Sequence, residues 1–183
     1  KFIEDLIKRD KVILVVGTKP ATKEIIKEIA DKYKFPYVIT RWLGGTLTNF
    51  SIIRERTKYY LELQKKRDTG ELEKYTKKEQ SDFNKEIRKL EEKFEGLVRM
   101  ERAPDAVLVI DTQEKSHTTA VREAQRMNIP VIGLIDNDDN LDDITHPIVG
   151  NDHAKASITW ILNKIFGDIE KPQSSKGEPP KTD

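Results

Sequence analysis

The side chains able to do chemistry gather where short apolar runs end. The run 12–16 leads into Gly17-Thr18-Lys19, 37–39 into Thr40-Arg41, 107–110 into Asp111-Thr112, and 131–135 into Asp136. As parallel strands, these runs would bring Thr18, Lys19, Thr40, Arg41, Asp111, Thr112 and Asp136 to the carboxyl edge of one sheet, where open α/β sheets bind ligands. Asp111 and Asp136 could together hold magnesium or act as acid and base. Strand-end aspartates more often cap the loop or helix that follows. The turn Gly17-Thr18-Lys19-Pro20 fits neither the P-loop nor the dinucleotide spacing, so it reads as structural. The acidic loop 136–143, with His146, Asn151, Asp152 and His153, offers oxygen and imidazole ligands for a weakly held cation. It lacks the calcium-loop register and any His-x-x-x-His spacing, and a solvated loop is the plainer reading. His117 falls at a helix start, where its charged form gains nothing from the dipole. No serine has a Gly-x-Ser-x-Gly context and there is no cysteine, so no catalytic constellation, cofactor or metal is assigned.

A second kind of chemistry is contact with nucleic acid, which needs exposed cations for phosphate and aromatics for unpaired bases. Arg41-Trp42 could supply both. Lys74, Lys77 and Lys78 cluster beside Tyr75, with Arg99 and Arg102 further along. The candidate RNA contacts are Lys19, Arg41, Trp42, Asn49, Lys74, Lys77, Lys78, Arg99 and Arg102. Composition weighs mildly the other way: Lys+Arg number 33 against 32 Asp+Glu, a net charge of only +1, whereas nucleic-acid binders usually carry a basic excess.

The elements that must position these residues are legible from periodicity. At 183 residues the chain can bury a core, yet 36% of it is charged and only 36% apolar, so the charge must be concentrated outside that core. The runs 12–16, 107–110 and 131–135 are continuous β-branched or apolar stretches, the mark of strands buried on both faces of a parallel sheet. Amphipathic helices are expected at 1–9 and 20–33. Another begins near Ser116 and buries Ala120, Val121, Ala124 and Met127; the last, capped by Asn151 or Asp152, buries Ala154, Ile158, Ile161, Leu162 and Ile165. Between them, 49–67 is a charged helix with Ile52, Tyr59 and Leu63 near one seam and Ile53 and Tyr60 beside it. Thr76 and Glu79 form a capping box in sequence form. Phe83, Ile87, Leu90, Phe94 and Leu97 recur at alternating spacings of four and three. Two such helices should pair as a hairpin that adds little to the main core.

The expected fold is therefore α/β: a doubly wound, mostly parallel sheet with helices on both faces and an inserted antiparallel two-helix coiled-coil arm. Residues 1–48 and 97–167 make the core, 49–96 the arm, and 168–183, rich in Pro, Ser, Lys and Gly, a disordered tail. No apolar run approaches the roughly 18 residues that span a bilayer, which makes a cytoplasmic protein the default. The uncapped start at residue 1 suggests that the sequence begins inside a larger protein.

The junction Arg41-Trp42-Leu43-Gly44-Gly45-Thr46-Leu47-Thr48-Asn49-Phe50 adds a resemblance. With Val15-Val16-Gly17-Thr18-Lys19, Pro104-Asp105-Ala106, Ile129-Pro130-Val131 and Gly150-Asn151-Asp152, it resembles in order and spacing the bacterial-type second protein of the small ribosomal subunit, over about residues 1–167. The resemblance implies an α/β core with a protruding two-helix arm and a structural, non-enzymatic role supporting translation. It also implies binding to small-subunit ribosomal RNA and neighbouring ribosomal proteins, including the large messenger-binding protein of repeated OB domains, and a cytoplasmic place between head and body of that subunit. Three departures stand out. The family's Asp-Thr-Asn is Asp136-Asn137-Asp138 here, its Pro-Gly-Asn-Asp is Val149-Gly150-Asn151-Asp152, and the N-terminal part of its core is absent. The competing readings are a nucleotide- or phosphate-binding enzyme on the same fold and a coiled-coil adaptor without RNA contact.

Overall fold

The computed structural model describes residues 1–136, 141–167 and 169. Its centre is a five-stranded sheet in the order β2-β1-β3-β4-β5, parallel throughout. The strands are β1 (Ile13–Val16), β2 (Tyr37–Val38), β3 (Ala106–Ile110), β4 (Val131–Ile135) and β5 (His146–Val149). Every residue of β1, β3 and β4 is buried, which is why these stretches read as unbroken apolar runs. Val16 lies opposite Val38 on one side and Val109 on the other, fixing the register at the strand ends.

Alternate side chains of these strands enter two separate cores. Ile13, Val15, Leu108, Ile110, Ile132 and Leu134 pack with α1 (Phe2–Lys8), α2 (Lys23–Tyr33) and α6 (Lys155–Phe166). Leu14, Val16, Val107, Val109 and Val131 pack on the opposite face with α5 (Lys115–Arg126), α3 (Phe50–Asp68) and α4 (Lys77–Phe94). The second cluster runs without interruption from the sheet through Ile53, Tyr60 and Leu63 to Leu72 in the 3-10 turn Glu71–Lys74. The two inserted helices thus share one buried cluster with this face of the sheet. Gly96 marks the join: a Cβ there would lie 2.1 Å from the Tyr37 carbonyl, an approach only glycine permits.

Several local expectations are corrected. The inward stripe of α3 is Ile53, Thr57, Tyr60 and Leu63, while Ile52 and Tyr59 are exposed. Tyr59 instead reaches Glu86 of α4 with its hydroxyl, at 3.0 Å. Met127 lies outside, because α5 ends at Arg126 and Asn128 turns the chain with φ 54°. Ala154 is the exposed cap residue of α6, and Phe166 joins Ile158 and Leu162 inside. The Thr76–Glu79 capping box forms in full. Of the expected tail, residues 168 and 170–183 lie outside the described residues, as do 137–140 of the acidic loop. Ile169 packs on the first core, and its carbonyl accepts from the Tyr33 hydroxyl at 2.7 Å.

Candidate functional site

From β1 the chain moves out to β2 on one side, then re-enters at β3 on the other. That reversal opens a crevice above the carboxyl ends of β1 and β3, the place where such sheets hold ligands. Here the crevice is filled by the protein's own side chains. Asp111 turns out of β3 with φ 64°, a conformation aspartate tolerates better than most residues. Its carbonyl is 2.6 Å from Nδ1 of His117, which is fully buried in the first turn of α5. The other ring nitrogen accepts from the Thr18 N–H at 3.3 Å. These partners assign the proton to Nδ1 and leave neither nitrogen free for acid–base work.

The Lys19 ammonium sits 2.5 Å from the Asp111 carboxylate and 2.6 Å from His153 Nδ1. His153 Nε2 lies 3.3 Å from Asp136 and 3.5 Å from Asp152. Asp152 is buried, and its Oδ1 has no hydrogen-bond partner among the described residues. Burial, reinforced by the Asp111 charge, raises its carboxyl above the usual range. Asp136, Asp152 and His153 present ligand atoms within 4.8 Å of one another, an oxygen–imidazole set able to hold a divalent cation. Glu114 caps α5, accepting from Ser116 N at 2.7 Å and His117 N at 3.1 Å.

Next to this crevice, the 41–49 turn wraps around one carboxylate. Glu123, 5% exposed on the inner face of α5, accepts five hydrogen bonds. Oε1 takes the Trp42 indole N–H at 3.1 Å and the Gly45 N–H at 2.7 Å. Oε2 takes Leu47 N at 3.0 Å, with Thr48 N and Thr48 Oγ1 both at 3.3 Å. Burial pushes this carboxyl up, but the donors around it outweigh burial and hold it below the usual glutamate range. Gly45 adopts φ 88°, which lets successive amides converge on one acceptor. The turn leaves Arg41 on the rim of an open cleft of about 610 Å³, with Thr18, Thr40, Lys115, Ser116 and Thr119 around it.

Comparison with known proteins decides what this frame belongs to. The family profile described as ribosomal protein S2 matches residues 1–171. The chain belongs to the ribosomal protein S2 family. It is 41% identical over 168 residues to the small ribosomal subunit protein uS2 of Coprothermobacter proteolyticus, covering 92% of this chain and 62% of that one. It is 41% identical over 158 residues to uS2 of Hahella chejuensis, covering 86% and 62%. Against uS2 of Thermus thermophilus the identity is 39% over 179 residues, covering 98% and 69%. The chain thus spans about 62% of the length of the first two relatives.

In this chain the candidate RNA contacts fall into three groups. Lys74, Lys77 and Lys78 are exposed together where α3 passes to α4, with the Lys74 ammonium 5.5 Å from the centre of the Tyr75 ring. Arg41, Asn49 and Lys19 lie around the sheet's carboxyl end, Arg41 and Asn49 exposed and Lys19 tied to Asp111. Arg99 and Arg102 bind the protein itself. Arg99 donates to the Ala30 carbonyl at 2.8 Å and to Asp31 at 2.6 Å, while Arg102 pairs with Asp105 at 2.7 Å.

Trp42 is the clear correction. At 3% exposure its ring packs in the second core, where no base can stack on it. None of Thr46, Thr48 and Asn49 caps α3 with its side chain. Thr46 donates to Leu43, Thr48 to Glu123, and Asn49 precedes α3 without a side-chain cap. Glu123 is the residue that sequence reasoning passes over, while His117 reads there only as a residue at a helix start. The available signal for Glu123 was its place beside Ala120, Val121 and Ala124 on the apolar stripe of α5.

Proposed function

We propose that this chain is a structural constituent of the small ribosomal subunit, binding small-subunit ribosomal RNA and neighbouring ribosomal proteins in support of translation and performing no reaction. The observation that carries this reading is the ribosomal protein S2 match across residues 1–171, backed by relatives named small ribosomal subunit protein uS2 at 39–41% identity. The geometry supports it. Residues 1–48 and 97–167 act as a doubly wound core, and 49–96 act as an antiparallel coiled-coil arm whose apolar seam stiffens it and whose tip carries Lys74, Lys77 and Lys78. Arg41 and Asn49 present a second polar surface at the arm's root. Exposed cations at two separated points suit a protein that braces RNA segments against one another.

Lys19 bears on the enzyme alternative. In a phosphate-binding enzyme a lysine at this turn would point at the ligand, but here its ammonium is engaged by Asp111 and His153. The place of work is the cytoplasmic ribosome, with the large OB-repeat messenger-binding protein among the neighbours; no described helix is long and apolar enough to cross a membrane. Co-sedimentation with small-subunit particles, together with RNA affinity measured against salt, tests the reading. Binding that weakens steeply with salt is expected. An adaptor would bind the particle with no salt-dependent RNA affinity, and turnover of a nucleotide by the purified chain would overturn the proposal.

A further inference from the structure

The solvent face of α5 carries cations and no acid. At 3.6 residues per turn, Lys115, Thr119, Arg122 and Arg126 fall within a stripe roughly 60° wide, opposite the buried His117, Ala120, Val121 and Ala124. All four stripe residues are exposed. The helix has one acid, Glu123, and its carboxylate is spent inside on the 41–49 turn. Glu114, just before the first turn, is occupied by the Ser116 and His117 amides. Asp143, which shares a small cavity with Arg122, accepts from the Gln125 amide at 2.7 Å. Lys115, Arg122 and Arg126 thus enter no ion pair among the described residues, whereas Arg9, Arg67, Arg99 and Arg102 all do. The stripe runs on past the helix start. By clamping the 41–49 turn to α5, Glu123 sets Arg41, equally unpaired, on the same open cleft as Lys115, where Thr18 and Thr119 add hydroxyls. Lys115 to Arg126 alone covers roughly 16 Å of helix.

We propose that this stripe and the cleft at its head form a track for the sugar–phosphate backbone of an RNA strand, carried by α5 rather than by the inserted helices. The inference rests on the RNA-binding role proposed above. Charge complementarity selects the occupant: unpaired cations set in line face a partner of repeating negative charge. Arg41, Arg122 and Arg126 supply planar donor forks that match phosphate. The hydroxyls of Thr18 and Thr119 can bond phosphate oxygens or 2′-hydroxyls, which themselves donate and accept. A tightly held protein partner would need an apolar or aromatic anchor on the stripe. The stripe has none, and the indole of the neighbouring Trp42 is buried.

The test compares two double variants of equal charge change in the full chain. Arg122→Gln with Arg126→Gln alters the stripe. Lys8→Gln with Arg9→Gln alters cations of α1, on the opposite face of the sheet. All four residues are exposed, so both variants keep the fold. For each, affinity for small-subunit ribosomal RNA is measured against salt, alongside incorporation into small-subunit particles. The stripe variant is expected to lower the slope of log affinity against log salt by roughly 1.4 to 1.8, the value for two lost phosphate contacts. The α1 variant should leave the slope unchanged. Equal losses in both would reduce the effect to overall charge and overturn the proposal. No loss in either overturns it while leaving the RNA-binding role intact. Poorer incorporation of the stripe variant with an unchanged slope would assign the stripe to an acidic protein neighbour, which also overturns it. A wild-type chain with no salt-dependent RNA binding would remove the underlying role as well.

Discussion

The indole N–H of Trp42 donates to the Glu123 carboxylate at 3.1 Å, joining residues 81 positions apart. With four further donors from Gly45, Leu47 and Thr48, Glu123 holds the turn that launches the inserted helices. Glu123→Gln would put an amide N–H₂ against donors. A loss of about 2–4 kcal/mol is expected from the strained and unpaired groups, read as a lower urea midpoint. Trp42 emission should shift toward that of exposed indole, against the constant background of Trp160, which is already 68% exposed.

Acid should weaken this fold by a defined route. Glu123 is held below its ordinary value, burial opposing and hydrogen bonds prevailing; Asp105 is likewise held low, with burial opposed by Arg102 and the Val12 N–H. For a lowered folded value, the unfolded chain takes up the proton first as pH falls. The contribution is therefore full above the ordinary carboxylate values, about 4.3 for Glu and 3.9 for Asp, and is lost as pH drops below them toward the folded values. Urea midpoints from about pH 6 to about pH 3 should fall more in wild type than in Glu123→Gln. Equal slopes would contradict the role assigned to this carboxylate.

Adjacent isoleucines on α3 should behave oppositely. Ile53 is 7% exposed in the seam and Ile52 is 48% exposed. Ile53→Ala is expected to remove roughly 2–4 kcal/mol, and Ile52→Ala no more than about 0.5 kcal/mol. Proteolysis within 49–96 should accelerate only in the former.

Gly96→Ala would drive a methyl against the Tyr37 carbonyl, which the ideal position places 2.1 Å away. Either β2 or the 3-10 turn Glu95–Leu97 must shift, at about 1–3 kcal/mol by analogy with overpacking. Thermal unfolding measures this directly; an unchanged midpoint would mean that the join yields freely.

Charge reversal of Lys74, Lys77 and Lys78 together should weaken incorporation into small-subunit particles without altering the circular dichroism of the core, because all three side chains are exposed. Undiminished incorporation would take the tip out of the RNA interface.

Much of the frame was legible from local pattern. Continuous β-branched runs marked β1, β3 and β4, and the Thr76–Glu79 box marked the start of α4. Seams were harder. On α3, Ile52 and Ile53 are equally apolar neighbours 100° apart on the wheel, and only the position of the sheet chooses between them. The site was less legible still. A tryptophan beside an arginine and two glycines fits a stacking platform as well as a buried strut. A glutamate following Arg122 on a charged helix ordinarily faces water.

By itself, the sequence determined the α/β alternation, the break in composition after the 41–50 junction, and the family motifs, because periodicity and turn chemistry act over a few residues. Tertiary structure alone decided that Trp42 is buried, that Lys19 is spent on Asp111, and that Glu123 organises the turn. Each of those outcomes pairs groups about 80 to 130 positions apart in the chain. A buried charge or amide is stable only where the fold supplies its partner, and local periodicity does not encode which distant group that will be.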